Sequence, residues 1–144
     1  PAGVTEFDLA PLVADGVMRE NVCREFFKSI NPEEFRDQVV AFYCSVDAIL
    51  PQWIWPMASS SIAKEALYTT AGRNSDALQA YYSQRLAGMN WADFADKKVL
   101  LKGCGQYPVP DSVYVQAAMH LSLSAQKLMY GEACSNVLIH LNKK

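Results

Sequence analysis

The sequence predicts an α/β fold, a small three-layer sandwich with a mostly parallel central sheet and helices on both faces. Three observations carry that expectation. Short β-rich runs alternate with segments of helical period, the runs lie too far apart for simple hairpins, and a strand–cysteine–loop–proline arrangement occurs twice. Strands separated by helices favour parallel pairing, because a parallel connection must cross back over the sheet. A chain of 144 residues fits one domain spanning residues 1–144, which on folding buries roughly two-thirds of the surface its unfolded form exposes.

The elements follow in order. Residues 4–13, with Phe7, Leu9, Pro11 and Leu12 in mixed spacing, read as an edge strand or extended arm. Over residues 18–30 the apolar Val22, Cys23, Phe26, Phe27 and Ile30 recur at helical spacing, while Arg19, Glu20, Arg24, Glu25 and Lys28 take the other face. That is an amphipathic helix, and Cys23 on its apolar stripe reads as a small core hydrophobe. Residues 38–44 and 98–104 have strand character and are expected to be neighbouring central strands. Residues 57–69, rich in Ala and Ser, and residues 76–86, with a Leu78, Tyr81, Tyr82, Leu86 stripe closed by Gly88, read as two helices. Asn74 or Ser75 caps the second of them. Tyr114, Ala117, Ala118, Leu121, Ala125 and Leu128 set a further helix, with Asp111 or Ser112 as its cap. Residues 137–141 alternate as the last strand, whose direction the sequence leaves open.

Two of these segments resemble each other. Asn31, Glu34, Phe35, Asp37 and Val40 match Asn90, Asp93, Phe94, Asp96 and Val99, and each copy then reaches a cysteine, Cys44 or Cys104, and a proline, Pro51 or Pro110. The quasi-repeated units cover residues 31–52 and 90–111. Their cysteines are one residue out of register, so the pattern is a repeated structural solution.

Composition narrows the function. The net charge of −2, with both signs interspersed, leaves no basic face of the density that phosphate-backbone binding needs, so nucleic acid is not an expected partner. The longest apolar stretches fall far short of the roughly 20 residues a membrane span needs, and the first residues lack a signal-peptide pattern. The chain therefore reads as cytoplasmic, with no membrane partner, and its four cysteines read as thiols that are free, buried or metal-bound rather than as a disulfide scaffold.

The chemistry is expected at the carboxyl ends of the strands, where ligands collect in open α/β sheets. Cys44 and Cys104 fall there, each near the start of a following helix whose partial positive charge favours thiolate. Cys134 lies in a loop before the last strand and joins that end of the sheet only if this strand runs antiparallel. Three thiolates suit zinc or iron, with Asp47, a histidine or water completing the shell; three buried structural cysteines explain the same residues. A nucleophilic cysteine would need an imidazole beside it. His120 falls on the polar side of its helix, and His140 has no sequence neighbour that explains it. The Gly103-Cys104-Gly105 run lacks the remaining glycines and the Lys-Ser/Thr of a phosphate loop; its glycines let something approach the strand end closely. Trp53 and Trp55, between Pro51 and Pro56, read as core or as an exposed aromatic patch, and Pro56 breaks or kinks any helix begun at Pro51.

The stretch Cys44-Ser-Val-Asp-Ala-Ile-Leu-Pro-Gln-Trp53, with Lys102-Gly-Cys, Pro108-Val-Pro, Tyr114-Val and Met129-Tyr-Gly-Glu-Ala-Cys-Ser135, resembles the bacterial domain of unknown function family 2480 over about residues 37–144. The family pattern has a proline where this chain has Ala133 and an unbroken helix where it has Pro56. The resemblance implies a small cytoplasmic protein without an assigned activity, associated with iron–sulfur cluster assembly. Cys44, Cys104 and Cys134 all fall inside the matched segments. Three functions are therefore weighed: a cysteine-ligated metal-binding or sulfur-handling accessory protein using Cys44, Cys104, Cys134 and Asp47 with zinc or iron, partnered by iron–sulfur assembly proteins; a homodimeric or partner-binding module whose cysteines are structural and whose contact surface is Trp53, Trp55 and Tyr81; and a cysteine-nucleophile enzyme.

Overall fold

A computed structural model describes residues 3–103 and 108–143. The fold is α/β. The chain divides into two compact units, the first running to Tyr81 and the second beginning at Tyr82.

The first unit holds strand β1 (Gly3–Asp8), helix α1 (Glu20–Ser29), strand β2 (Gln38–Tyr43), helix α2 (Ile54–Ile62) and strand β3 (Tyr68–Ala71). The three strands are parallel in the order β1-β2-β3. β2 is a continuous apolar run because both of its faces are covered, as expected for a central parallel strand. Val40 and Phe42 point into a core with Cys23 and Phe27 of α1 and Ile54, Ala58 and Ile62 of α2. Val39 and Ala41 pack on the opposite face against Ala77 and Tyr81 of helix α3 (Asn74–Ala87). This unit is thus a three-layer sandwich around a parallel sheet, and each fully buried Val, Ile or Leu contributes roughly 1.5–3 kcal/mol of burial. Four rings, Phe26, Phe27, Phe35 and Phe42, surround Phe7 at centroid distances of 5.3–6.4 Å. No helix begins at Pro51, and Pro56 does not interrupt α2. The helix starts at Ile54, so the proline sits in the first turn, where its missing N–H would have had no helical partner.

The second unit contains β4 (Lys98–Leu101), helix α4 (Asp111–Ser124), β5 (Lys127–Glu132) and β6 (Ser135–Leu141). β4 and β5 are parallel, and β6 returns antiparallel to β5, with a register shift at Leu128/Met129. Its core is Ala117, Leu121 and Leu128, flanked by Leu86, Trp91, Phe94, Val99 and Leu101. Asn142 closes α4, its side-chain amide donating to the carbonyls of Ser122 and Ala125 at 2.9 and 2.6 Å. Those are acceptors left open at a helix C-terminus.

Four expectations are corrected. The strands over residues 38–44 and 98–104 are not neighbours: β2 is the centre of one three-stranded sheet and β4 an edge of another. The helix expected over 57–69 ends at Ile62, and Tyr68–Ala71 is a strand; its two threonines are β-branched and suit a pleat better than a helix. Leu128 belongs to β5 rather than to α4, which ends at Ser124 with its C-cap at Ala125. α4 also takes Pro110 as its N-cap residue, without a side-chain cap.

The repeat, in contrast, extends well past the two short units, with a constant offset of 59 positions from Asn31 against Asn90 onward. Each copy opens with an asparagine whose side chain accepts from the backbone N–H two residues on, Asn31 from Glu33 and Asn90 from Ala92, over a 3₁₀ turn. Each then places an aspartate in the left-handed region, Asp37 at φ 59° and Asp96 at φ 60°, a conformation that aspartate tolerates better than most residues. The strand pairs correspond rung by rung: Val39–Tyr68 with Lys98–Lys127, and Phe42–Ala71 with Leu101–Tyr130. The buried helix positions correspond too, Ile54, Ala58 and Ile62 with Val113, Ala117 and Leu121. Residues 31–71 and 90–130 are two copies of one 3₁₀-turn–strand–helix–strand frame.

Candidate functional site

In the first unit, the polar side chains gather where the parallel strands end, the ordinary ligand edge of such a sheet. Glu6 of β1 accepts from the Arg73 guanidinium at 2.8 and 3.4 Å and from the Asn74 N–H at 2.8 Å. The same guanidinium lies 4.1 Å from the centroid of the Tyr43 ring, a cation–π contact. These bonds, Arg73 first and the Asn74 N–H second, hold the Glu6 carboxyl below the usual carboxylate range. Asp8 is held low as well, chiefly by a hydrogen bond from the Ser45 side chain and then by the Ala10 N–H. Gly72 makes the turn between β3 and Arg73 at φ 122°, where an added Cβ would run into Asp76. Sequence reasoning missed this Glu6–Arg73–Tyr43 cluster, because its members are far apart in the chain and match no motif.

Cys44 follows β2 and is half-buried, its thiol 3.5 Å from the Val46 carbonyl. α2 begins only at Ile54, so Cys44 does not lie near the start of the following helix, contrary to expectation. Asp47 is exposed in the same loop. Cys134 sits in the tight turn between β5 and β6 and is exposed. β6 takes the antiparallel direction that sets Cys134 at the carboxyl end of β5. Cys104 lies outside the described residues. Among the described residues, no three of His, Cys, Asp and Glu are grouped so as to hold a metal ion. Cys23 is buried, as expected, and burial pushes its thiol up. His120 stacks on Trp91 at 4.6 Å, with 8° between the planes, rather than facing solvent alone, and His140 hydrogen-bonds Asn142 at 3.0 Å. Trp53 and Trp55 pack against the first core, and Tyr81 packs on the opposite sheet face, edge-on to Tyr68, so all three are half-buried.

The repeat places one cleft in each unit. Phe42, Trp55, Pro56, Ser59, Thr69 and Ala71 line the first. Their counterparts Leu101, Tyr114, Val115, Ala118, Leu128 and Tyr130 line the second, together with Ile139 of β6. Each cleft is about 230 Å³. Hydroxyls dominate the polar part of the first, Ser59 and Thr69 lying 2.7 Å apart, whereas aliphatic and tyrosine side chains replace them in the second. The Tyr114 hydroxyl donates to the Gly103 carbonyl at 3.2 Å, and a Cβ on Gly103 would collide with the Tyr130 hydroxyl. Gly103 is therefore a glycine because two tyrosines cover it, and no ligand is needed to explain it. Its counterpart in the first unit is Cys44, which has room for a side chain because Ala71 stands where Tyr130 stands.

The cleft of the second unit opens onto a broad apolar surface. β6 is exposed along all seven residues, with Val137 62%, Leu138 54%, Ile139 49% and Leu141 47% accessible. Beside it, α4 turns Val115, Met119 and Leu123 outward, opposite its buried Val113, Ala117 and Leu121 stripe. Isolated exposed hydrophobics need no explanation, but contiguous ones mark interaction surfaces. No helix among the described residues is long and apolar enough to cross a membrane.

Neither a curated protein nor a solved structure matches the chain. The profile of the family described as DUF2480, Protein of unknown function, matches residues 2–142, and the chain belongs to that family.

Proposed function

We propose that this protein is a non-catalytic binding module that presents the apolar face of its second unit to a protein partner. The single observation behind this reading is the surface formed by Val115, Tyr130, Val137 and Ile139 around the second cleft. Burying such side chains contributes roughly 25 cal/mol per Å², and a solvated face has no other reason to collect them. Both histidines are engaged in their own contacts, which favours binding over thiol catalysis. The photo-crosslinker p-benzoylphenylalanine at position 115, compared in cells with the same group at exposed, polar position 34 on the first unit, tests the reading. A discrete covalent adduct at 115 alone is expected; no adduct, or equal adducts at both positions, contradicts it.

A second reading keeps the thiols in a metal or sulfur site. What favours it is that Cys44 and Cys104 follow equivalent strands of the two copies, and that the Cys134 turn lies at the end of the sheet at which β4 also finishes. In this reading zinc or iron takes Cys44, Cys104 and Cys134 with Asp47, and the partner is an iron–sulfur assembly protein in the cytoplasm. Elemental analysis of tag-free protein, beside Cys44→Ser, Cys104→Ser and Cys134→Ser, decides it. Near-stoichiometric metal lost in each variant supports the site, and metal-free protein after anaerobic metal addition refutes it.

A further inference from the structure

Positions four apart share a face of a helix, and positions two apart share a face of a strand. Trp55 and Ser59 of α2 therefore stand together across from Thr69 and Ala71 of β3, and with Phe42, Pro56 and Thr70 they line the first cleft. Phe42 and Ala71 form the last rung of the β2–β3 pairing, so the cleft lies at the carboxyl end of parallel strands, where open α/β sheets take ligands. None of its lining side chains is charged, which suits a neutral molecule. Pro56 and Ala71 are exposed, which leaves the mouth open to solvent.

The second copy supplies a template for what enters. There Tyr114 and Tyr130 hold the places of Trp55 and Ala71, and their rings meet edge-on at 5.8 Å with 83° between the planes. The first copy keeps the helix ring, as Trp55, but Ala71 offers no ring in return. The polar end changes too. The Tyr130 hydroxyl lies so close over Gly103 that a Cβ there would collide with it, and Cys44, at the equivalent position, has one. A ring beside Trp55 must therefore direct a hydroxyl elsewhere, and Ser59 and Thr69, 2.7 Å apart, stand where the second copy has Ala118 and Leu128. Two hydroxyls bonded to each other still have one O–H and several lone pairs to offer. We infer that the first cleft binds a small phenol, its ring edge-on to Trp55 over Ala71 and its hydroxyl bonded to the Ser59–Thr69 pair. Aromatic walls with a few placed polar groups are the usual make-up of a small-molecule site. The site belongs to the first unit and stands independently of the partner face of the second.

Titration of the isotope-labelled whole chain with para-cresol, the tyrosine side chain as a free molecule, tests the site by two-dimensional NMR. Saturable shifts are expected at the Trp55 indole N–H and at the Thr69 and Ala71 amides. Toluene should bind about fivefold more weakly for want of the hydrogen bond, and methylcyclohexanol, the saturated analogue of para-cresol, should also bind more weakly for want of the ring. Cys44→Gly combined with Ala71→Tyr rebuilds the second copy's pair in the first cleft and should abolish the shifts. Ser59→Ala combined with Thr69→Val keeps the ring wall and should lower the affinity for para-cresol to that for toluene; thermal melts check that both variants fold, and this second one decides the matter if the first does not. No saturable shift in the unaltered chain, shifts at Leu128 and Tyr130 instead, equal affinity for methylcyclohexanol, or full affinity in either folded variant would each overturn the inference.

Discussion

The two copies of the repeated frame share their element order and strand register and differ in what fills them. In the first, Cys44, Trp55, Ser59, Thr69 and Ala71 surround a cleft with hydroxyls; in the second, Gly103, Tyr114, Ala118, Leu128 and Tyr130 hold the same places. The frame is set by a few positions that barely vary: the Asn cap, the left-handed Asp, and the buried helix residues. The difference also extends to the surroundings. The first copy has β1 beside its leading strand and buried layers on both sheet faces, whereas the second has β6 beside its trailing strand, exposed along its length. Enclosure in one copy and exposure in the other suggest a division of labour between a stable frame and an interacting one.

The comparison can be broken most forcefully at the paired core positions. Ile62→Ala and Leu121→Ala remove equivalent side chains that are 0% and 4% exposed, and each should cost about 2–5 kcal/mol by urea denaturation. A negligible cost at either would mean that the two helices do not play the same part. Next in size is the contrast between Gly103→Ala and Cys44→Ala. The first pushes a methyl into the Tyr130 hydroxyl and should cost about 1–3 kcal/mol, while the second should stay within about 0.5 kcal/mol. Equal effects would remove the tyrosine explanation of Gly103. Asp37→Val forces a β-branched residue into the left-handed region, at a cost of about 1–2 kcal/mol, whereas Asp37→Gly should be neutral or better.

The smallest effect is on pH dependence, and it is expected in the first unit. Glu6 and Asp8 have carboxyls held below their ordinary values by hydrogen bonds. Their contribution to stability is fully present above the ordinary carboxylate range and is lost as pH falls through their lowered folded values. Thermal melts from neutral to acid pH should therefore show a steeper acid limb for the unaltered chain than for Glu6→Gln. An identical limb in the variant would show that the Arg73 contact does not persist in solution.

Much of the frame was legible because it repeats and because its core residues keep a period. The Asn31/Asn90 and Asp37/Asp96 matches, the amphipathic α1 and the run of β2 all carry local signals. β3 and β5 did not, since four threonine-rich residues and a strand adjoining a helix of similar apolarity show no distinct period. Extending the 59-position offset to residues 68–71 and 127–130 would have found both. Sheet membership was not legible either, because nothing local distinguishes one six-stranded sheet from two of three. The strand-end cysteines were placed correctly along the chain for Cys44 and Cys134, but a ligand set depends on distances that sequence does not encode. Trp53 and Trp55, the aromatic patch that the sequence offers, are half-buried against the first core, Trp55 also lining its cleft, and the widely exposed residues are instead the aliphatics of β6.

Photo-crosslinking from position 137 of β6 (Ser135–Leu141) beside position 4 of the charged edge strand β1 (Gly3–Asp8), in the whole chain in cells, tests the central claim, that the second unit carries an open interaction edge. The account predicts a discrete covalent adduct from position 137 and none from position 4. No adduct from position 137, or equal adducts from both strands, would contradict it.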